Sequence, residues 1–203
     1  MNTRSNAATL NPGRTSQLTI FGLLALLMLS TRYAHFAQLP DASWATFFAG
    51  GFYFAGRRGL AVFAALMLES AAIDYIVIQH LGISNYCVTP AYAFLVPTHA
   101  ALWLGGAWLR RGYSFRPVTL LRFAMAAIIA THLAYLISNG SFYWLGGRYA
   151  DPNAAEYLAR FAQYYVNFTT VTPGYLAIIA LLHVAAAALL PELRGTRDEL
   201  PKA

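Results

Sequence analysis

Cys87 is the single cysteine among 203 residues, so it cannot form an intramolecular disulfide. It sits in the polar stretch Ser84-Asn85-Tyr86-Cys87-Val88-Thr89-Pro90, between two long apolar runs. Its polar neighbours and Pro90 argue against a helix-core position. A free thiol in such a place is either a small hydrophobe or, once deprotonated, a nucleophile and soft metal ligand. Isolation alone leaves both readings open. The other groups with chemistry are Arg32, His35, Glu69, Asp74, His99, His132 and His183, all within or near apolar runs. Ionisable groups there are expensive and usually face a protein interior, a cavity or each other.

The elements that position these groups follow from composition. The chain is 58% hydrophobic and only 11% charged, too apolar for a soluble domain and too poor in charge to cover one. An all-α integral membrane protein is expected, with the lipid bilayer as its surroundings. The formal charge of +6 is confined to short stretches between apolar runs. It reads as a topology signal, with no nucleic-acid partner.

The apolar runs are 17–38, 43–56, 59–80, 91–109, 117–138 and 170–190. A spanning helix needs about 20 residues, so the second run is short, and Gly50-Gly51 weakens it further. Six spans are nonetheless expected. Arg4 and Arg14, Arg57-Arg58, Arg110, Arg111 and Arg116, then Arg194, Arg197 and Lys202 place a basic stretch at every alternate connection. By the positive-inside bias, both termini are expected in the cytoplasm and Cys87 outside. The expected layout is a tail over 1–16, a six-helix membrane domain over 17–190 and a tail over 191–203. Within the membrane domain lie an outer loop over 81–90 and an outer interfacial segment over 139–169. Glu156, Arg160 and Gln163 make Asp151–Phe168 an interfacial or lid helix, with Pro173-Gly174 opening the last span. The first run is read as a retained helix, because no small-residue cleavage site follows it.

Depth then sorts the polar residues. Arg32 and His35 close the outward-running first helix, Asp74 lies near the outer end of the third, and Tyr92 opens the fourth just after the Cys87 loop. His35, Asp74, Cys87 and Tyr92 thus converge on the outer third of the protein. Each has a plainer reading as well: a snorkelling histidine, an aromatic-belt tyrosine, or an Arg32 ion pair with Asp74 or Glu69. Glu69 lies five residues before Asp74, about 140° around a helix, so the two acids do not share a face. Helix-to-helix hydrogen bonding is favoured over metal binding for His99, His132 and His183.

The histidine late in the first helix, the stretch Leu68-Glu69-Ser70-Ala71-Ala72-Ile73-Asp74-Tyr75, and the loop running from Ser84 through Cys87 to Ala91-Tyr92 together resemble the BtuM family. These are solitary cobalamin-specific membrane proteins related to the S components of energy-coupling-factor transporters. The resemblance runs from about Leu18 to Leu190. It implies an S component-like bundle in a bacterial inner membrane and a cobalamin pocket facing the periplasm. In that pocket Cys87 is the axial cobalt ligand, and His35, Asp74 and Tyr92 match the other pocket positions. Tyr33, Phe36, Tyr53, Tyr86 and Tyr92 offer flat faces to a corrin ring, and Asn85, Thr89 and Asp74 offer partners for its amides. Energy-coupling-factor motors are the partners such proteins use, and the chain has no Walker A motif of its own. A small-residue docking stripe on the first helix is reduced here to Ser30 and Ala34. A solitary carrier is therefore equally compatible, and removal of the upper ligand of cyanocobalamin by Cys87 is an open possibility. Two other classes fit the residues: a haem-binding protein using His35, His99, His132 and His183, and an enzyme with a Cys87 nucleophile and His35 as base.

Overall fold

The computed structural model describes residues 10, 12–34 and 40–194. Among these, the secondary structure is helical throughout: α1 (Arg14–Ala34), α2 (Ser43–Tyr53), α3 (Gly56–Leu81), α4 (Leu95–Arg111), α5 (Val118–Leu145) and α6 (Ala154–Leu189), with short 3-10 turns at Pro90–Phe94 and Pro191–Leu193. Four helices, α1, α3, α5 and α6, are long and apolar enough to cross a membrane. Of the six runs, the second and fourth form helices shorter than these four. The 11 residues of α2 rise about 16 Å, roughly half a hydrocarbon core of about 30 Å. The 17 residues of α4 reach comparable length to a span only with the 3-10 turn that leads into it.

The short α2 is the centre of the molecule. Every one of its residues except Trp44 is buried, as expected of a helix that is apolar on all sides. It packs most closely on α4 and also touches α1, α3 and α6. Arg110, expected only as a topology marker, donates from Nη1 to the carbonyls of Phe52 (3.1 Å) and Tyr53 (2.7 Å). It thereby satisfies orphan acceptors at the C-terminus of α2 and places a cation at the negative end of that helix.

Two glycine pairs set the α2–α4 distance. A Cβ on Gly106 would overlap the carbonyl oxygen of Phe48, and one on Gly51 would overlap that of Trp103. Small residues let two backbones approach this closely. Gly50-Gly51, which weakens the second run as a span, is therefore the contact surface that buries α2. We expect Gly106→Ala to destabilise the protein by about 1–3 kcal/mol, because the neighbour it meets is backbone and cannot rotate away. Denaturation in detergent followed by circular dichroism measures this, and wild-type stability would contradict it.

The helix α6 runs unbroken for 36 residues through Pro173, about 54 Å, so the expected break at Pro173-Gly174 is absent. Proline removes one N–H, and helices inside membranes tolerate that loss when neighbouring groups compensate. The acceptor that Pro173 leaves free is the Thr169 carbonyl; around it Thr169 and Thr170 donate back to the Tyr165 and Val166 carbonyls at 2.6 and 2.7 Å, and Tyr175 ties the helix to the Pro40 carbonyl at 2.8 Å. The helical part of Asp151–Phe168 is accordingly the first half of α6, packed on α5, and the start of the segment expected over 139–169 is the last turns of α5.

The basic residues gather at one end of the bundle. Ser16 hydrogen-bonds Glu192, Arg58 reaches Gln17 at 3.4 Å, and Arg110 reaches the Leu10 carbonyl. The starts of α1 and α3 and the ends of α4 and α6 therefore meet there. The opposite end carries Arg32, Asp74 and the Cys87 loop.

Candidate functional site

At that opposite end, local sequence aims the site residues one by one. Gly82 ends α3 in the left-handed region (φ 66°), a conformation glycine adopts without strain. The chain then turns tightly, with the Val88 amide donating to the Asn85 carbonyl at 2.9 Å. Tyr86 and Cys87 occupy the central positions of this turn, and the thiol is exposed. Thr89 next caps the 3-10 turn Pro90–Phe94, its hydroxyl accepting from the Ala91 amide at 3.2 Å. That turn brings the Tyr92 hydroxyl to Asp74, where it donates to Oδ2 at 2.7 Å.

Asp74 is the hub. Arg32 donates to it twice, Nε to Oδ1 at 2.7 Å and Nη2 to Oδ2 at 2.6 Å, the fork geometry of a strong charge-assisted pair. Through Nη1 Arg32 also holds Asp41 at 2.9 Å and Ser43 at 3.2 Å. The network therefore joins α1, the start of α2, α3 and the lead into α4. The side chains of Arg32 and Asp74 keep only 13% and 18% of their exposure.

A cavity of about 400 Å³ opens beside this network. Asp74, Tyr86, Cys87 and Tyr92 all line it, together with Arg32. Four of the five residues expected at the site are thus brought together; the fifth, His35, and also Phe36, lie outside the described residues. Tyr53 is a correction. It sits at the basic end with its hydroxyl 2.8 Å from Nδ1 of His183, because α2 starts at the network and carries its last residue away from it. Tyr33, Asn85, Thr89 and Glu69 do not line the cavity.

The far wall was not anticipated from the sequence. Tyr135, Phe142 and Tyr143 of α5 and Tyr164 and Phe168 of α6 complete the lining, with Tyr149 from the connection. The sequence signal for part of it is an aromatic stripe at helical spacing, Tyr157, Phe161, Tyr164 and Phe168. Asn153 starts that helix, its side chain accepting from the Glu156 amide at 3.0 Å. Glu156 in turn holds Arg160 at 2.9 Å, whose guanidinium lies 4.5 Å from the Tyr149 ring centroid.

Arg148 ties the two walls. Its Nε donates to the Tyr86 carbonyl at 3.1 Å, and its guanidinium lies 4.7 Å from the centroid of the Tyr86 ring. The Cys87 thiol is held above its ordinary range, first by partial burial and then by the Asp74 carboxylate, with Arg148 opposing both. It is therefore a thiol at neutral pH, and coordinating a metal through it releases a proton.

Three of the four described histidines, His99, His132 and His183, are committed elsewhere, and the fourth, His80, lies exposed at the end of α3. His183 stands between Tyr53 and Tyr113; because Tyr113 donates to the Leu193 carbonyl at 3.0 Å, it accepts from Nε2 at 2.6 Å, which leaves Nδ1 to accept from Tyr53. His132 bridges to Tyr165 of α6 at 2.6 Å, and His99 of α4 lies 3.2 Å from the Met67 sulfur of α3. All three link neighbouring elements, and none lines the cavity. Among the described residues no group of three His, Cys, Asp or Glu side chains is disposed around a single metal ion. No family model matches this chain, and no curated protein is significantly similar to it.

Proposed function

We propose that this chain is a membrane-embedded corrinoid carrier that binds cobalamin in the cavity beside Cys87. The observation that supports this most is that Asp74, Tyr86, Cys87 and Tyr92 line one cavity with the thiol exposed, as the resemblance to the BtuM family implies. A cobalt already held by a corrin ring needs only one protein donor, so a lone thiolate suffices where a free ion would require a cluster. The surrounding tyrosines and phenylalanines offer flat apolar surface with a few polar groups, the usual make-up of a small-molecule site.

In this reading the basic end faces the bacterial cytoplasm and the cavity the periplasm. The chain then crosses the inner membrane six times, α2 and α4 doing so within the protein, where short helices are tolerated. Transport energy comes from an energy-coupling-factor module or from the solitary chain's own equilibrium with a cytoplasmic acceptor. Thiolate donation from Cys87 to cobalt would labilise the cyanide held across the ring, which would leave with its electron pair, and any reduction of the cobalt would draw its electrons from an external thiol. Cyanide released from cyanocobalamin by the wild type and by Cys87→Ala measures this step.

The decisive experiment is to purify the full chain from cells supplied with cobalamin and record its absorption spectrum. Corrin bands in stoichiometric amount are expected. A haem Soret band in their place, or no chromophore at all, would overturn the proposal.

The cavity lies at the lower end of small-molecule pocket sizes, and a corrinoid is larger than a drug-sized ligand. The Tyr86–Cys87 turn must therefore swing outward on entry, and Arg148 restrains it. An exposed cation–π contact is worth about 0.5–1 kcal/mol, so Arg148→Ala is expected to speed association about two- to five-fold. Stopped-flow absorption measures this, and an unchanged rate would show that the turn is not the barrier.

A further inference from the structure

A second cavity, of about 290 Å³, lies at the basic end between α5 and α6, floored by Phe48 and Phe52 of α2 and closed by the connection that follows α4. We propose that it binds an acyl chain of an anionic phospholipid, with the head group on Arg116. The polar side chains that line the slot are spent on one another. His183 is held by Tyr53 and Tyr113 through both ring nitrogens. Thr119 donates to the Ser114 carbonyl at 2.5 Å, and their hydroxyls lie 3.3 Å apart. A ligand with a polar ring would find no free donor in the interior, whereas an apolar chain requires none.

Arg116 lines the mouth, is exposed and makes no side-chain hydrogen bond or ion pair among the described residues. Arg194 lies 5.9 Å from the ring centroid of Phe115, which also lines the slot. No carboxylate lines it. The flanking helix surfaces expose Leu121, Leu181 and Leu182, each more than half accessible, so the slot opens where lipid tails lie. A basic mouth on an apolar slot between membrane helices is the chemistry that selects an anionic head group. The site is independent of what the Cys87 cavity binds.

Native mass spectrometry of the full chain, released from micelles holding equal phosphatidylglycerol and phosphatidylcholine, tests this. One arginine near a membrane surface contributes about 1 kcal/mol, so phosphatidylglycerol adducts should exceed phosphatidylcholine adducts about five-fold. Arg116→Ala, at an exposed position, should bring the two to parity, and Ala180→Phe, which fills the slot, should lower both. Equal adducts in the wild type, an unchanged preference in Arg116→Ala, or full retention in Ala180→Phe would each overturn it.

Discussion

On the proposed function, Cys87→Ala is expected to weaken corrinoid binding by at least the 10- to 100-fold that even a supporting outer-shell group of a metal site is commonly worth, and to shift the absorption bands of what still binds. The thiol lines the cavity and stands exposed at the tip of the Tyr86–Cys87 turn, where the proposal makes it the donor to cobalt. Serine rescues poorly, because an alcohol does not give up its proton in this pH range. Equilibrium titration followed by absorption measures both effects, and identical affinity and spectrum in wild type and Cys87→Ala would remove the ligation reading altogether.

The pH dependence of that binding has a fixed sign. Burial and Asp74 raise the Cys87 thiol above its ordinary range, so on the proposed ligation each cobalt bound below that range would displace one proton, and apparent affinity should rise about ten-fold per pH unit. Removing Arg148, the group that opposes the shift, moves the profile to higher pH. Cys87→Ala abolishes the slope. The Arg148 variant thus changes rate and pH profile in separable ways, one through the turn it restrains and the other through its charge.

Counting runs along the chain was enough to bring Asp74, Cys87 and Tyr92 to one end. Their positions depend only on which direction each segment travels, and the alternation of Arg57-Arg58 with Arg110-Arg111 makes that direction legible. Tyr53 was misplaced against that same rule: the second run ends beside Arg57-Arg58, so direction of travel alone puts Tyr53 at the basic end, where it meets His183. Pro173 is a local breaker signal that does not break the helix, since α6 runs through it and packs on α5. The aromatic wall on α5 and α6 was written at helical spacing, but Glu156 and Arg160 made that stretch read as interfacial. The structure pairs those two charges with each other, and Arg160 lines the cavity beside Tyr164 and Phe168.

The Arg32–Asp74 pair carries the second large effect. Breaking a buried pair by removing one partner typically costs about 3–5 kcal/mol. Asp74→Ala should fall near the lower figure, because both side chains keep some exposure and Arg32 retains Asp41. The loss is steep because one carboxylate serves both the Arg32 guanidinium and the Tyr92 hydroxyl. Removing it leaves the phenol without its partner and the guanidinium with only Asp41 and Ser43, and frees the lead into α4 from α3. A double-mutant cycle with Arg32→Ala and Asp74→Ala, read by denaturation in detergent, should give a coupling of about 1–3 kcal/mol; additive losses would mean that the two act separately. Asp74→Asn separates structure from binding, since the amide preserves shape and one acceptor but not the charge. If Asp74 acts by positioning Tyr92 and the Cys87 turn, Asp74→Asn loses stability while the corrin spectrum of the bound state stays that of a thiolate-ligated cobalt. A spectrum altered as much as in Cys87→Ala would instead place Asp74 against the metal's own surroundings.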